Sequence, residues 1–406
     1  MTARCLRDRI VGAAALLALA GAGAACGGSS HPNTINVVTT SGTNVQPIAV
    51  NAGPTSNYAN GVFTSVTVCA PSSSNCQTIS GILVDTGSYG LRLLSSAGGG
   101  ALTLSLPQQN SGANPVGECA PFVSGYTWGP VQSADIKMAG EVASNVPVQI
   151  IDPTFAAVPS SCSSGGVPEN DTLLTLGANG ILGVGPFAQD CGGSCDQTGA
   201  ANPGLYYGCA SASCQVIAEP IAQQVQNPVA LFATDNNGVI LELPNVSSPA
   251  ASLSGSMVFG IGTESNNALG SASVFPVDAN GEFSTTFKGQ SYPAFVDSGS
   301  NAFFFLDETL TGLTVCPGNN SGFYCPGSTA NLSATTASGS ATANITFTIA
   351  NADTLFQNQT AVVFNSLGGP NPGTFDWGLP FFFGRNVFTA IDGKSTPAGS
   401  GPFWAY

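Results

Sequence analysis

Two stretches, GILVDTGSYGLRLL at 81–94 and PAFVDSGSNAFFFL at 293–306, decide how the rest of this chain reads. Each runs an apolar, strand-like segment into an aspartate, continues through a hydroxyl residue, a glycine and a serine, and returns to an apolar segment. Val84-Asp85-Thr86-Gly87-Ser88 aligns with Val296-Asp297-Ser298-Gly299-Ser300, and Leu91, Leu93 and Leu94 align with Phe303, Phe305 and Leu306. Upstream, NGVFTSVT from Asn60 parallels NGEFSTTF from Asn280; the extra length of the first copy carries Cys69 and Cys76, as a disulfide-closed hairpin tip would. Downstream, NGILGVGPF at 179–187 and FDWGLPFFF at 375–383 each place a glycine, Gly183 or Gly378, between apolar segments that can be threaded beside the aspartate turn. A lone Asp-Thr-Gly or Asp-Ser-Gly is an ordinary turn. Two of them with matching flanks on both sides indicate an internal duplication.

The residue types suit one kind of chemistry. An aspartate at the end of an apolar strand can be held in a low-dielectric cleft. The glycine allows a tight backbone and leaves its amide free for the carboxylate. Thr86 or Ser298 can bond the opposite loop, and Ser88 and Ser300 can fix the outer carboxylate oxygens. Two such carboxyls face to face cannot both ionise readily, so they share a proton in acid. One is then a general base on a water held between them and the other an acid toward a carbonyl oxygen. The titration belongs to the pair, so neither role is assigned to one residue.

Composition excludes the competitors. Of 406 residues, 51 are Gly, 27 Pro and 12 Cys, and 7% are charged, against roughly a quarter in ordinary soluble domains. The glycines have no collagen period, the charge is too sparse for a coiled coil, and 43% hydrophobic residues are enough for a large core rather than disorder. Short β-branched and aromatic runs punctuated by Gly, Pro, Ser, Thr and Asn predict many short strands. Eight Lys and Arg against 22 Asp and Glu give a net charge of −14, so nucleic acid is not an expected partner. The only histidine, His31, lies in a Gly/Ser/Thr/Asn-rich segment, so a Ser-His or Cys-His hydrolase lacks its base. No HExxH, P-loop or complete GxGxxG pattern occurs, no CxxC pair supports zinc, and neither a metal nor a cofactor is expected. Hydrolytic chemistry here rests on carboxylates.

The start reads as an export signal. Residues 1–9 are basic, IVGAAALLALA at 10–20 is apolar, and small residues lead to Cys26; the apolar run is too short to span a bilayer. The pattern resembles a bacterial lipoprotein signal with Cys26 as the lipidated residue, although Gly23 stands where a leucine is usual; ordinary cleavage near Ala24 or Ala25 is the alternative. Loss of residues 1–25 leaves five Lys and Arg against 21 Asp and Glu, a net −16. Ten cysteines follow Cys26, an even number suited to an oxidising compartment. Short loops make Cys69–Cys76, Cys191–Cys195, Cys209–Cys214 and Cys316–Cys325 plausible pairs and leave Cys119 with Cys162; the four cysteines from Cys191 to Cys214 can also pair otherwise.

From about Asn57 to Tyr406, on VDTGS, VDSGS and NGILGVG, the chain resembles the pepsin-like aspartic peptidases, and it also resembles an uncharacterised family of bacterial lipoproteins with that fold. The resemblance implies an all-β, bilobal double β-barrel with a central cleft and few short helices. The expected division is a signal peptide at 1–25, a flexible tether at 26–56, an N-terminal lobe at 57–248 and a C-terminal lobe at 249–406. EPIAQQVQNPVALFAT from Glu219 looks like a helix and strand of the first lobe, and MVFGIGTESNNALGSASVFPVD at 257–278 like the opening of the second. The implied catalytic pair is Asp85 and Asp297, oriented by Thr86, Gly87, Ser88, Ser298, Gly299 and Ser300. In that family a hairpin carrying a tyrosine closes over the substrate. Here the corresponding stretch, 122–140, looks short at its start, with Tyr126 or Trp128 as candidate hairpin aromatics. No Lys or Arg occurs between Arg9 and Arg92, so a basic prosegment lock is not expected. The implied protein is an exported endopeptidase, monomeric, acting on an extended peptide in the inter-lobe cleft. Its expected location is the bacterial envelope, as an outer-membrane lipoprotein or in the periplasm, with the membrane reached only through a lipid. The competing reading is a non-catalytic envelope lipoprotein that keeps the fold as a binding or structural module. The phenylalanine runs at 303–305 and 381–383 read as core strand. Glu141, Glu219 and Asp235 read as solvated, and Asp376 stands out by its closeness to the second apolar-Gly segment.

Overall fold

The computed structural model describes residues 38–163, 166–210 and 213–406; the expected signal at 1–25 and Cys26 lie outside them. Strands dominate, and the four α-helices among the described residues are single short turns of four or five residues. Six strands of the first lobe close into a barrel: Gly61–Cys69, Cys76–Asp85, Gly180–Val184, Tyr89–Leu94, Glu141–Ile151 and Gly125–Met138, whose last strand pairs back to the first through Val68 and Ile136. Closure removes exposed sheet edges and turns alternate side chains inward. Val66, Ile82, Val84, Leu91, Ile136 and Val148 fill the interior. The second lobe is built on a seven-stranded sheet that stays open, running from Ala341–Ile349 through Gln290–Val296 and Asn371–Trp377 to Phe303–Leu306 and Gly368–Gly369. Its core is aromatic: Phe305 stacks on Phe375 with ring centroids 4.9 Å apart, and Phe347 and Phe303 meet Trp377 edge-on.

Between the lobes runs a shared antiparallel sheet of Val45–Asn51, Leu253–Phe259, Gly238–Leu243, Arg385–Ala390, Phe403–Ala405 and Val274–Pro276. This corrects the tether. Val45–Asn51 is a strand held between Gly61–Cys69 and Leu253–Phe259, with Ile48 and Val50 buried; alternation in VQPIAVN buries one face, and the polar flanks hid it. The expected lobe boundary at 248/249 falls in the connection between two strands of this shared sheet. The segment after Glu219 forms two 3-10 turns, Ile221–Gln223 and Pro228–Leu231, before the strand Gly238–Leu243; Pro220 and Pro228 allow no longer helix.

The ten cysteines after Cys26 pair as Cys69–Cys76, Cys119–Cys162, Cys191–Cys195, Cys209–Cys214 and Cys316–Cys325. Cys69 faces Cys76 directly across the hairpin formed by Gly61–Cys69 and Cys76–Asp85. No helix among the described residues is long and apolar enough to cross a membrane.

The duplication is visible in the sheet register. Gly180–Val184 lies parallel to the strand ending at Asp85 (Asp85 opposite Gly183) and antiparallel to Tyr89–Leu94. In the second lobe Asn371–Trp377 lies parallel to Gln290–Val296 (Val296 opposite Trp377) and antiparallel to Phe303–Leu306. Each aspartate turn is therefore clamped by a strand threaded between its two arms.

Candidate active site

The two turns meet face to face. Asp85 accepts hydrogen bonds from the Gly87 amide (2.8 Å) on Oδ1 and the Ser88 hydroxyl (2.5 Å) on Oδ2. Asp297 repeats the pattern with the Gly299 amide (2.7 Å) and the Ser300 hydroxyl (2.8 Å). The turns are tied to each other by four bonds. The Ser298 amide donates to Thr86 Oγ1 (2.9 Å), which donates to the Val296 carbonyl (3.1 Å). The Thr86 amide donates to Ser298 Oγ (3.1 Å), which donates to the Val84 carbonyl (2.8 Å). Thr86 and Ser298 are fully buried, so these bonds do not compete with solvent.

Glycine is required by this approach. A Cβ on Gly87 would stand 2.6 Å from Asp297 Cγ, and one on Gly299 would stand 2.6 Å from Asp85 Oδ1. Each carboxyl thus rests against the other turn's glycine, and the two carboxyls are within hydrogen-bonding contact of one another. Asp85 is 6% exposed. Burial first, and then the Asp297 charge, raise its pKa well above the usual carboxylate range, against the lowering pull of Ser88 and Gly87. The pair can therefore hold one proton between two carboxyls.

A third carboxyl stands behind Asp297. Asp376, on the strand Asn371–Trp377, is 5% exposed and its Oδ1 has no hydrogen-bond partner. Burial and then the Asp297 charge push its pKa well up, and Ser300, which donates to Asp297, also contacts it. Two tyrosines frame the pair. Burial, then Asp85 and Asp297, push Tyr58 up to about 12 and raise Tyr89 in the same way, so both phenols stay neutral donors.

A cavity of about 610 Å³ opens beside the pair, lined by Gly87, Tyr89, Phe122, Phe187, Val277 and Asp278 among others. Its roof is the antiparallel hairpin Asn114–Phe122 and Gly125–Met138. The hairpin is not abbreviated: the two strands pair from Gly117–Pro130 to Phe122–Gly125, and Val123 at its tip is 97% exposed. Tyr126 and Trp128 are not the residues it offers to the cleft. Both are buried in a satellite cluster with Phe155 and Tyr207, the Trp128 indole donating to the Ala156 carbonyl (2.9 Å) and the Tyr126 hydroxyl to Glu169 (3.3 Å). Alternation along a strand turned both outward from the cavity. Phe122, the last residue before the turn, lines it instead and carries no hydroxyl. Its place as the final strand residue before a Val-Ser-Gly turn was the available signal.

Arg92 was likewise missed, although a cation inside the apolar run GLRLL announces a buried partner. It is 2% exposed and bridges Glu118 (2.6 Å) on the hairpin to Asp190 (3.0 Å), donates to the Tyr89 carbonyl (2.7 Å), and lies 5.7 Å over the Phe122 ring. Tyr206 donates to Asp190 (2.6 Å). Burial raises the Glu118 pKa well above its usual range despite Arg92.

Glu141, Glu219 and Asp235 are buried rather than solvated: each accepts a hydrogen bond, from Thr234, Gln109 and Thr263 respectively. Burial pushes Glu219 up to about 7. Phe303 and Phe305 lie in core strand, while 381–383 are buried in and just after the 3-10 turn Leu379–Phe382. Among the described residues, the one grouping with metal-ligand spacing is Cys316, Cys325 and Asp353. Its two sulfurs are bonded to each other, which leaves a single carboxylate and no site.

A family model described as "Protein of unknown function (DUF3443)" matches residues 40–406. No curated protein matches the chain. Among solved structures it is similar to the crystal structure of an aspartic proteinase from Irpex lacteus, at 15% identity over 89% of this chain and 96% of that one, with a TM-score of 0.50. At that identity the likeness is one of fold, and the fold is the pepsin-like bilobal one.

Proposed function

We propose that this chain, which belongs to the family described as "Protein of unknown function (DUF3443)", is an exported aspartic endopeptidase. One observation carries the reading: two carboxyls in contact, Asp85 buried and Asp297 half-buried, each held by its own glycine amide and serine hydroxyl, in turns locked to one another. A structural turn needs one such aspartate; a matched pair at bonding distance sets up shared-proton chemistry.

The ionised carboxyl of the pair takes a proton from a water bound between the two. The water oxygen attacks the scissile carbonyl carbon, and the protonated carboxyl donates its proton to the carbonyl oxygen, giving a neutral tetrahedral diol. Its collapse breaks the C–N bond. The amine nitrogen takes the proton that the base had accepted, and a diol hydroxyl returns one to the other carboxyl. Asp85 and Asp297 exchange roles within the pair. Thr86 and Ser298 hold the turns, and Gly87, Ser88, Gly299 and Ser300 fix the carboxylate oxygens. The substrate lies extended under the hairpin, with Phe122 and Tyr89 against it. Five disulfides suit an oxidising compartment and support export. A lipid on Cys26 would tether an otherwise monomeric enzyme to the envelope, and mass spectrometry of the mature N-terminus tests it.

The purified protein is expected to cleave a denatured protein at about pH 3–5, where the pair shares one proton, and a statine-type inhibitor to stop it. Asp85→Asn and Asp297→Asn should each lower kcat by roughly 1,000-fold or more, with unchanged urea unfolding at the acid pH of the assay. A folded wild type inert on varied substrates from acid to neutral pH overturns the reading.

A further inference from the structure

A second cavity, of about 530 Å³, lies between the shared sheet and the hairpin Ala330–Ser338 and Ala341–Ile349 of the second lobe. It shares no lining residue with the cavity beside the aspartate pair. Its apolar wall includes Val246, Ile345, Phe347 and Phe383, its polar rim is asparagine, serine and threonine, and its one charged residue is Arg385.

Arg385 is anomalous. It stacks over Phe381 at 4.5 Å and donates through Nη1 to the Phe381 carbonyl (2.5 Å), yet no carboxylate of the described residues lies within ion-pair distance of it. None of its nitrogens is a fully buried group without a partner, and Arg385 lines the cavity, so the donors not given to Phe381 remain accessible to a ligand there. Arg385 is half-buried at the end of its strand, whereas the fully buried Arg92 has two carboxylates. A guanidinium partly withdrawn from water gains from a counter-charge, because desolvating it alone is costly. Here burial pulls the Arg385 pKa below its usual value. None of the acidic side chains among the described residues stands against this one.

We propose that this cavity is a binding site for a carboxylate with an apolar body, whose head group supplies the counter-charge Arg385 lacks and whose body covers the Ile345 and Phe347 wall. One guanidinium among neutral amides and hydroxyls suits a single negative charge, and its planar fork matches a carboxylate in two parallel bonds. The volume is that of a small-molecule site. An acyl chain and the C-terminus of an apolar peptide share this chemistry.

Titration calorimetry on the full chain at neutral pH separates the two sources. The probes are octanoate, an apolar tripeptide with a free C-terminus, its C-terminal amide, and octylammonium. Octanoate or the free tripeptide is expected to bind with one-to-one stoichiometry. The amide and octylammonium should not. Arg385→Met should weaken binding at least 10-fold, and Arg385→Lys, which keeps the charge but loses the fork, should fall between. Binding of octanoate alone assigns the site to acyl chains, and binding of the tripeptide alone to peptide ends. Saturable binding of neither carboxylate, or unchanged affinity in folded Arg385→Met, overturns the proposal. This outcome is independent of the peptidase reading, because neither variant touches the aspartate pair.

Discussion

Asp85 and Asp297 accept the same pair of hydrogen bonds, from a glycine amide and a serine hydroxyl, but the lobes around them are held by different means. The first lobe is a closed barrel with four of the five disulfides and the Arg92 ion pairs with Glu118 and Asp190, and its cleft hairpin is sewn down three ways. Cys119 is bonded to Cys162, Tyr206–Ala210 pairs with Asn114–Phe122, and Arg92 grips Glu118. The second lobe is an open sheet with one disulfide, filled by rings: Phe303, Phe305, Phe347, Phe375 and Trp377 touch one another. The duplication kept the turn and let the scaffold diverge. The turn geometry has one solution for presenting a carboxyl, whereas a core accepts many fillings of about the right volume.

The sharpest way to break this contrast is at Arg92. Arg92→Met strands Glu118 and Asp190 in the interior without a cation, which is expected to cost about 3–5 kcal/mol, read by urea unfolding. Hydrogen exchange should show the loss concentrated in the hairpin 114–138, and KM should rise more than kcat falls. A conservative aromatic trim in the other lobe, Phe375→Leu, should cost on the order of 1–3 kcal/mol and leave the hairpin protected. If Arg92→Met costs no more than Phe375→Leu, the first lobe does not depend on its ion pair.

A second test asks how symmetric the turns are. Thr86→Ala and Ser298→Ala each remove one hydroxyl and leave a buried amide and a buried carbonyl of the opposite turn unpaired. Each should cost roughly 2–4 kcal/mol, and the double variant should cost less than the two together because the bonds form one network. Thr86→Ser keeps every bond and uses the residue that the second turn already carries, so it should cost well under half as much as Thr86→Ala. A large inequality between the two alanine variants would show that one turn carries the other.

The duplication was legible because it repeats a turn whose every residue has a chemical reason, and the disulfides because short loops leave few partners. The misreadings share a cause. Tyr126 and Trp128 drew attention as aromatics, but which face of a strand they occupy depends on a register that the turn at Val123 and Ser124 sets. The strand Val45–Asn51 was hidden because most of its length pairs with Leu253–Phe259, far away in the chain, and only Ala49, Val50 and Asn51 pair with the nearby Gly61–Cys69. Glu219 and Asp235 looked like surface because low overall charge says nothing about which few charges are enclosed. Arg92 and Asp376 are the reverse case: a charge inside an apolar run is a legible sign of burial, while its partners are visible only in three dimensions.

Asp376 marks the smallest expected difference between the lobes, since the first turn has Ile181 at the equivalent place, two residues before its glycine. Its folded pKa lies above its unfolded value, as do those of Asp85, Glu118 and Glu219. A carboxyl raised in this way binds its proton more tightly in the folded state. Its stabilising contribution is therefore full below the ordinary carboxylate range and is lost as pH climbs toward the folded pKa. The protein should be most stable in acid and weaken on the way to neutrality, with Glu219 contributing up to about 7. Asp376→Asn removes one such proton, so urea unfolding of the variant should fall less steeply with pH. The gap from wild type should grow by about 1.4 kcal/mol per pH unit between the ordinary carboxylate range and the folded pKa. An unchanged slope would mean that Asp376 is already ionised in the fold. Asp297 would then face a second negative charge across Ser300, and the two turns would differ in charge as well as in scaffold.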